Sequence, residues 1–230
     1  MDILICNLGK SDYGETLKLQ YDLVKARKEK RIGNVFLVVE HPPVLTKGTR
    51  TDSANIYFTE EQLSEKGISV FEVNRGGDVT YHGPGQIVGY PIIDLYEYGE
   101  GIRSFIDTMQ ESIISYLDDK YSIKAYSQKD KMTGVWVGEE KIAAFGIAVV
   151  HGITMHGFAF NINTNLEHFN LINPCGLSKG VTSISKIRGS DIDFENAILD
   201  VVNSFVTHFG YKRIDITPEE LKALVNCEEN

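Results

Sequence analysis

The stretch Gly134 to Asn163, GVWVGEEKIAAFGIAVVHGITMHGFAFNIN, decides the fold. Gly134–Gly138 and Lys141–Val150 read as two strands joined by a Gly-Glu-Glu turn, since glycine interrupts two β-branched runs at hairpin spacing. Ile153 to Asn163 then alternates, with Phe158, Phe160 and Ile162 on one face and Ala159, Asn161 and Asn163 on the other. Successive strands with such short connections pair antiparallel, which excludes a purely parallel sheet.

Working outward, Ile87–Asp94, Ser69–Asn74 and Asp2–Cys6 read as strands. Asn34–Glu40 is nearly continuous in apolar residues, as in a strand buried on both faces, and His41-Pro42-Pro43 ends it. Tyr13 to about Lys30 is a helix with Tyr13, Leu17, Tyr21 and Val24 at helical spacing. Thr59–Lys66 is a short helix with Thr59 as N-cap. Arg103–Leu117 carries Phe105, Ile106, Met109, Ile113, Ile114 and Leu117 on one stripe. In Asp193–Phe209 the inward residues are Phe194, Ile198, Val201, Val202 and Phe205, with Asp191 or Ser190 at the cap. Thr217-Pro218-Glu219 opens a last helix. Strands and helices interleave without repeat or linker. The expectation is α/β (α+β): a single domain over residues 1–230, with a mixed β-sheet flanked by helices.

The chain has 230 residues, with 23 Lys+Arg against 32 Asp+Glu, a net charge of −9. That balance argues against nucleic acid as a partner. No apolar run is long enough to span a membrane. The N-terminus Met-Asp-Ile-Leu-Ile is neither a signal nor a transit peptide, and the 3 cysteines make no disulfide framework. The expected compartment is the cytoplasm.

Two segments stand out. Arg75–Gln86, RGGDVTYHGPGQ, follows one strand and precedes another, and its glycines let backbone approach a ligand closely. It is neither a Walker loop nor a dinucleotide fingerprint. In Asn173–Ile184, NPCGLSKGVTSI, Cys175 sits between proline and glycine, where a substrate can reach it. Such a thiol needs an activator, because only a few per cent is thiolate at neutral pH. The basic candidates are Lys141, Lys179, His82, His151 and His156.

Together these segments resemble the lipoyl(octanoyl) transferases, octanoyl-[acyl-carrier-protein]–protein N-octanoyltransferases of the biotin/lipoate ligase-like fold. The R-G-G-x-x-T-x-H-G-P-G-Q signature stands as Arg75–Gln86, and the P-C-G…V-T-S signature as Pro174–Ile184. His41–Gly48, Lys141–Ile147 and His156–Asn161 match further motifs, and the likeness runs from about residue 2 to 210. It implies that Cys175 attacks the thioester of octanoyl-acyl carrier protein and holds the acyl chain, and that Lys141 depresses the thiol pKa and relays protons. The octanoyl (or lipoyl) group then passes to a lysine of a lipoyl domain, in a 2-oxoacid dehydrogenase complex or the glycine-cleavage H protein. It also implies that Arg75, Gly76, Gly77, Asp78, Val79, Thr80, Tyr81 and His82 line the substrate pocket, with Ala144, Phe145, Gly146, Gly157, Phe158 and Ala159 as its other walls. No metal, cofactor or ATP is expected, and the chain is expected to be monomeric.

Other readings remain beside this one. An ATP-dependent lipoate–protein ligase of the same fold would need no nucleophilic cysteine. A thiol hydrolase would pair Cys175 with a histidine, and a non-catalytic binder would never be acylated. His151 and His156 lie on opposite sides of a strand and make a poor zinc pair, with or without Cys175. His41-Pro42-Pro43 reads as a rigid turn, and His168 and His208 as ordinary positions. Lys25–Arg31 reads as a solvated helix face, and Lys25, Arg27, Lys28, Lys30 and Arg31 are also one candidate docking patch for acidic protein substrates. Lys47, Arg50, Lys179, Lys186 and Arg188 form the favoured docking surface for acidic protein substrates.

Overall fold

The computed structural model describes residues 1–128, 133–172 and 180–226. Its centre is an eight-stranded sheet. Four strands come from the flanks: β1 (Asp2–Lys10), β2 (Asn34–Glu40), β6 (Gln86–Ile92) and β11 (Lys212–Asp215). The other four are β7 (Tyr126–Gln128), β8 (Gly134–Val137), β9 (Glu140–Val150) and β10 (Ile153–Asn161). The order is β11-β1-β2-β6-β10-β9-β8-β7. In this sheet β11-β1 and β1-β2 pair in parallel, and the pairs from β2 onward are antiparallel. The expected mixed sheet is present, and the β8-turn-β9-β10 run forms its antiparallel half.

Helices cover both faces. On one, α4 (Ile102–Tyr121) and α6 (Phe194–Phe209) pack over Phe36, Val38, Ile87 and Phe160. On the other, α1 (Tyr13–Lys28) and α7 (Pro218–Asn226) cover Val35, Leu37, Val39 and Val88. The alternate residues of β2 therefore feed two different cores, which is why the strand reads as unbroken apolar sequence. The alternation seen in β10 has the same fate: all nine of its residues are buried.

The structure corrects several expectations. A second sheet exists, of three strands in the order β4-β3-β5: β3 (Val44–Lys47), β4 (Ser69–Glu72) and β5 (Thr80–His82). With α2 (Glu60–Glu65) it encloses its own small core of Leu45, Leu63, Ile68, Val79, Tyr81 and Ile172. Of these, β4 is the expected strand at Ser69–Asn74, whereas β3 and β5, of four and three residues, are too short for periodicity to announce them. The cap of α6 is Asp193, whose side chain accepts from Asn196 N–H, rather than Asp191 or Ser190. On α1 Tyr21 is 44% exposed, while Thr16, Gln20 and Arg27 are buried. Arg27 thereby leaves the solvated run assigned to Lys25–Arg31. It is 4% exposed, bonds Asn34 Oδ1 at 2.9 Å and pairs with Glu97. Thr59 caps α2 as expected, in a reciprocal capping box with Gln62.

β5 belongs to the small sheet and β6 to the large one. The glycine-rich motif is thus the crossover between the sheets, and the site lies in the angle they make.

Candidate active site

The two predicted triplets on the large sheet face each other residue for residue: Gly157 pairs with Gly146, Phe158 with Phe145 and Ala159 with Ala144. Small residues at four of these six positions leave room above the strands. The loop from Arg75 crosses over them, and Gly76 N–H donates to Ile147 C=O at 3.2 Å. A side chain at Gly146 would lie 2.9 Å from Arg75 Cδ and 3.0 Å from Gly76 O. Gly77 sits at φ +98°, a conformation that favours glycine. The glycines thus allow the protein to approach itself; closeness to a ligand follows from that geometry.

The resulting cavity has two adjoining lobes that share Arg75, Thr80, Ala144, Phe145 and Ala159. The inner lobe adds Gly146, Gly157 and Phe158 from the strands, and Tyr13, His82, Tyr90 and His156 around them. The outer lobe adds Gly77, Asp78, Val79, Gln86, Asn161, Val181 and Lys141. Twelve of the fourteen pocket residues named from sequence line one lobe or the other, together with Lys141. Tyr81 does not line either lobe. Its ring lies in the small core, and its hydroxyl meets His168 Nδ1 at 2.7 Å. Gly76 serves through its backbone bond to β9.

Arg75 is nearly buried, and its guanidinium is held by Thr46. Nη2 donates to Thr46 O at 2.6 Å and Oγ1 at 2.9 Å, Nε donates to Oγ1 at 3.2 Å, and Nη1 donates to Gly76 O at 3.2 Å. Around it three histidines are kept neutral by burial. His82 is pushed down to about 3, His41 to about 4 and His156 to about 4. His41 takes the Nδ1–H tautomer: it donates to Ser11 C=O at 2.8 Å, and Nε2 accepts from Tyr90 hydroxyl at 2.9 Å. His41 is therefore a buried polar support of the inner lobe as well as part of the turn. Burial likewise raises Tyr13 to about 12, so its hydroxyl stays protonated.

Lys141 occupies the outer lobe beside a register shift in the β8-β9 ladder, the kind of irregularity that re-aims a side chain. Its ammonium lies 3.5 Å from Thr133 O and 4.9 Å from the centre of the Trp136 ring. Its backbone N–H donates to Gly180 O, and its C=O accepts from Thr182 N–H, both at 3.0 Å. Asn161 Nδ2 adds a bond to Thr182 O at 3.0 Å. Cys175 and Lys179 lie outside the described residues. Among the described residues no three His, Cys, Asp or Glu side chains could hold a metal ion. His151 is exposed in the β9-β10 turn, whereas His156 is buried in the cavity wall.

The docking surface loses part of its charge. Lys47 pairs with Glu60 at 2.7 Å and Glu72 at 3.7 Å, and Lys186 with Glu140 at 2.6 Å. Sequence reasoning missed Tyr13 and Tyr90 as wall residues. One opens a helix and the other sits in an apolar strand, and neither position signals a cavity.

A family model described as the lipoyl protein ligase A/B catalytic domain matches residues 12–206. A curated octanoyltransferase of Desulforamulus reducens is 45% identical over 99% of this chain and 100% of its own length. One from Caldicellulosiruptor saccharolyticus is 48% identical over 99% and 97%. Among solved structures, a bipartite lipoate protein ligase of Thermoplasma acidophilum superposes with a TM-score of 0.74 at 16% identity, over 98% of this chain and 91% of that one. A biotin protein ligase of Aquifex aeolicus does so at 0.51 and 13%, over 91% and 69%. At such identities these structural likenesses speak for the fold.

Proposed function

The chain belongs to the lipoyl protein ligase A/B catalytic domain family and is an octanoyltransferase of protein lipoylation; we propose that it carries the octanoyl group on Cys175, between an acyl carrier protein and a lysine of a lipoyl domain. The observation that supports this most is the position of Lys141. Its side chain stands in the outer lobe, and its backbone binds Gly180 and Thr182, just past the segment that holds Cys175.

In this reading the Cys175 thiolate attacks the donor thioester carbonyl, the carbon–sulfur bond to the carrier breaks, and the departing carrier thiolate takes a proton from the Lys141 ammonium, which is left as a neutral amine. Lys141 stabilises the thiolate beforehand. An ammonium about 4 Å from a thiolate contributes up to about 4 kcal/mol at an effective dielectric near 20. The acyl chain runs inward past Ala144 and Ala159 toward Phe158, where six methylene groups at about 0.8 kcal/mol each contribute about 5 kcal/mol. The acceptor lysine amine then attacks the acyl-enzyme carbonyl, Lys141 takes the proton, and the thiolate is expelled. A covalent intermediate suits a reaction between two proteins that use one entrance in turn. Neither ATP nor a metal takes part, and the cytoplasm is the site of action.

Intact-protein mass spectrometry after incubation with octanoyl-acyl carrier protein, without ATP, tests this. One hydroxylamine-labile octanoyl adduct is expected, absent in Cys175→Ala and discharged by a lipoyl domain. Octanoylation of the lipoyl domain only when ATP and free octanoate are supplied would overturn it.

A further inference from the structure

The inner lobe carries more polar chemistry than a hydrocarbon tail uses. His82 Nδ1 lies 2.9 Å from Gln86 Oε1. The Gln86 amide nitrogen is committed to Asn161 Oδ1 at 2.9 Å and Tyr81 O at 3.3 Å. Gln86 therefore accepts, His82 Nδ1 holds the proton, and Nε2 is bare. His156 Nε2 lies 2.8 Å from Asn74 Oδ1 and donates to it, so its Nδ1 is bare as well. That Nδ1 is buried and without a partner. Both rings are neutral, since burial keeps them far from protonation at pH 7. Among the described residues the wall thus holds two imidazole acceptors with no hydrogen-bond donor against them, the one on His156 fully buried.

The backbone of His156 is unusual too. It adopts φ +57° inside a strand, and its N–H is fixed by Gln20 Oε1 of α1 at 2.8 Å. A non-glycine residue held there by a neighbouring helix marks stored strain at a ligand wall. Distance fits as well. His156 pairs with Ile147, three residues along β9 from Ala144 at the junction of the lobes. Three residues of strand span about 10 Å, close to the extended length of an eight-carbon acyl chain.

We propose that His156 and His82 form a hydrogen-bond-accepting subsite at the distal end of the acyl cavity, so that the enzyme also takes medium-length acyl groups with a hydroxyl at the far end of the chain. This rests on the reading that the cavity holds the acyl chain. A terminal hydroxyl donates to one imidazole nitrogen and can accept from the Tyr13 hydroxyl; a methyl group satisfies neither.

The test compares octanoyl- and 8-hydroxyoctanoyl-acyl carrier protein as donors to a lipoyl domain, by kcat/KM. A dry hydrocarbon pocket would reject the added hydroxyl by about a hundredfold. Here the two donors are expected within about tenfold, and His156→Leu is expected to widen the ratio at least tenfold. Thermal unfolding of His156→Leu checks that it folds, and the wild-type ratio stands without it. Calorimetric Kd values for octanoate and 8-hydroxyoctanoate read the subsite independently of catalysis. If neither donor is used, the transfer reading fails while the Kd ratio still decides the subsite. A wild-type preference for the unsubstituted chain beyond about tenfold, by either readout, or an unchanged ratio in His156→Leu, would overturn the proposal.

Discussion

Gly157→Ala tests the strand geometry that shapes the cavity. The new Cβ would lie 1.9 Å from Gly89 O and 2.8 Å from Pro91 Cδ. The nearer atom belongs to the backbone of β6, so no rotamer relieves it, and the strands must part by about 1.5 Å to restore contact distance. The opening falls at the first pair of the β10-β6 ladder, Phe158 with Gly89. Overpacking against backbone costs about 1–3 kcal/mol, and one or two weakened ladder bonds add about 1 kcal/mol each. The total is about 2–5 kcal/mol, a fall of roughly 4–20 °C in Tm for a chain this long. Gly33→Ala is the control: no atom lies within 4 Å of its Cβ and its φ is ordinary. It should hold or slightly raise Tm, by about 0.4–1 kcal/mol, through the unfolded chain. Scanning calorimetry of both variants reads the difference. A Gly157→Ala protein that unfolds within 2 °C (about 0.5–1 kcal/mol) of the wild type would refute the close approach of β6 and β10.

Three further predictions concern the site. His41, His82 and His156 have folded pKa values below their unfolded ones, so the unfolded chain takes up protons first as pH falls. Their stabilising contribution is complete above about pH 6.5 and is lost toward pH 4, with a slope of about 4 kcal/mol per unit near pH 5; urea midpoints equal at pH 7 and pH 5 would contradict this. Lys141→Met should slow octanoyl transfer by about 10²–10⁴ and move the pH profile of acylation upward, with a rate within threefold (roughly 0.7 kcal/mol) of wild type counting against the lysine's role. Tyr90→Phe strips the donor from His41 Nε2 and should cost about 1–3 kcal/mol by denaturant unfolding, whereas an unchanged midpoint would mean that water replaces the hydroxyl.

Much of the site was legible because its chemistry sits in contiguous motifs. Arg75, Thr80 and His82 come from one segment, and Ala144–Gly146 and Gly157–Ala159 from two strands whose hairpin connection fixes their pairing. Tyr81 shows the limit of contiguity. It lies between two cavity residues, but the alternation of β5 turns its ring into the small core. Lys47 and Lys186 show another: a basic residue is a docking charge only if no carboxylate folds against it, and here Glu60 and Glu140 do.

Hydrophobic periodicity, turn residues and caps are local, so the sequence by itself determined the main strands, the long helices, the antiparallel half of the sheet and the motif segments. What sits beside a given residue depends on contacts far apart in the chain. The second sheet, the burial of Arg27, the neutral histidines and the unpaired nitrogen of His156 therefore came from tertiary structure alone. The His156 backbone is held by Gln20, 136 residues away in sequence, and only the folded chain brings them together.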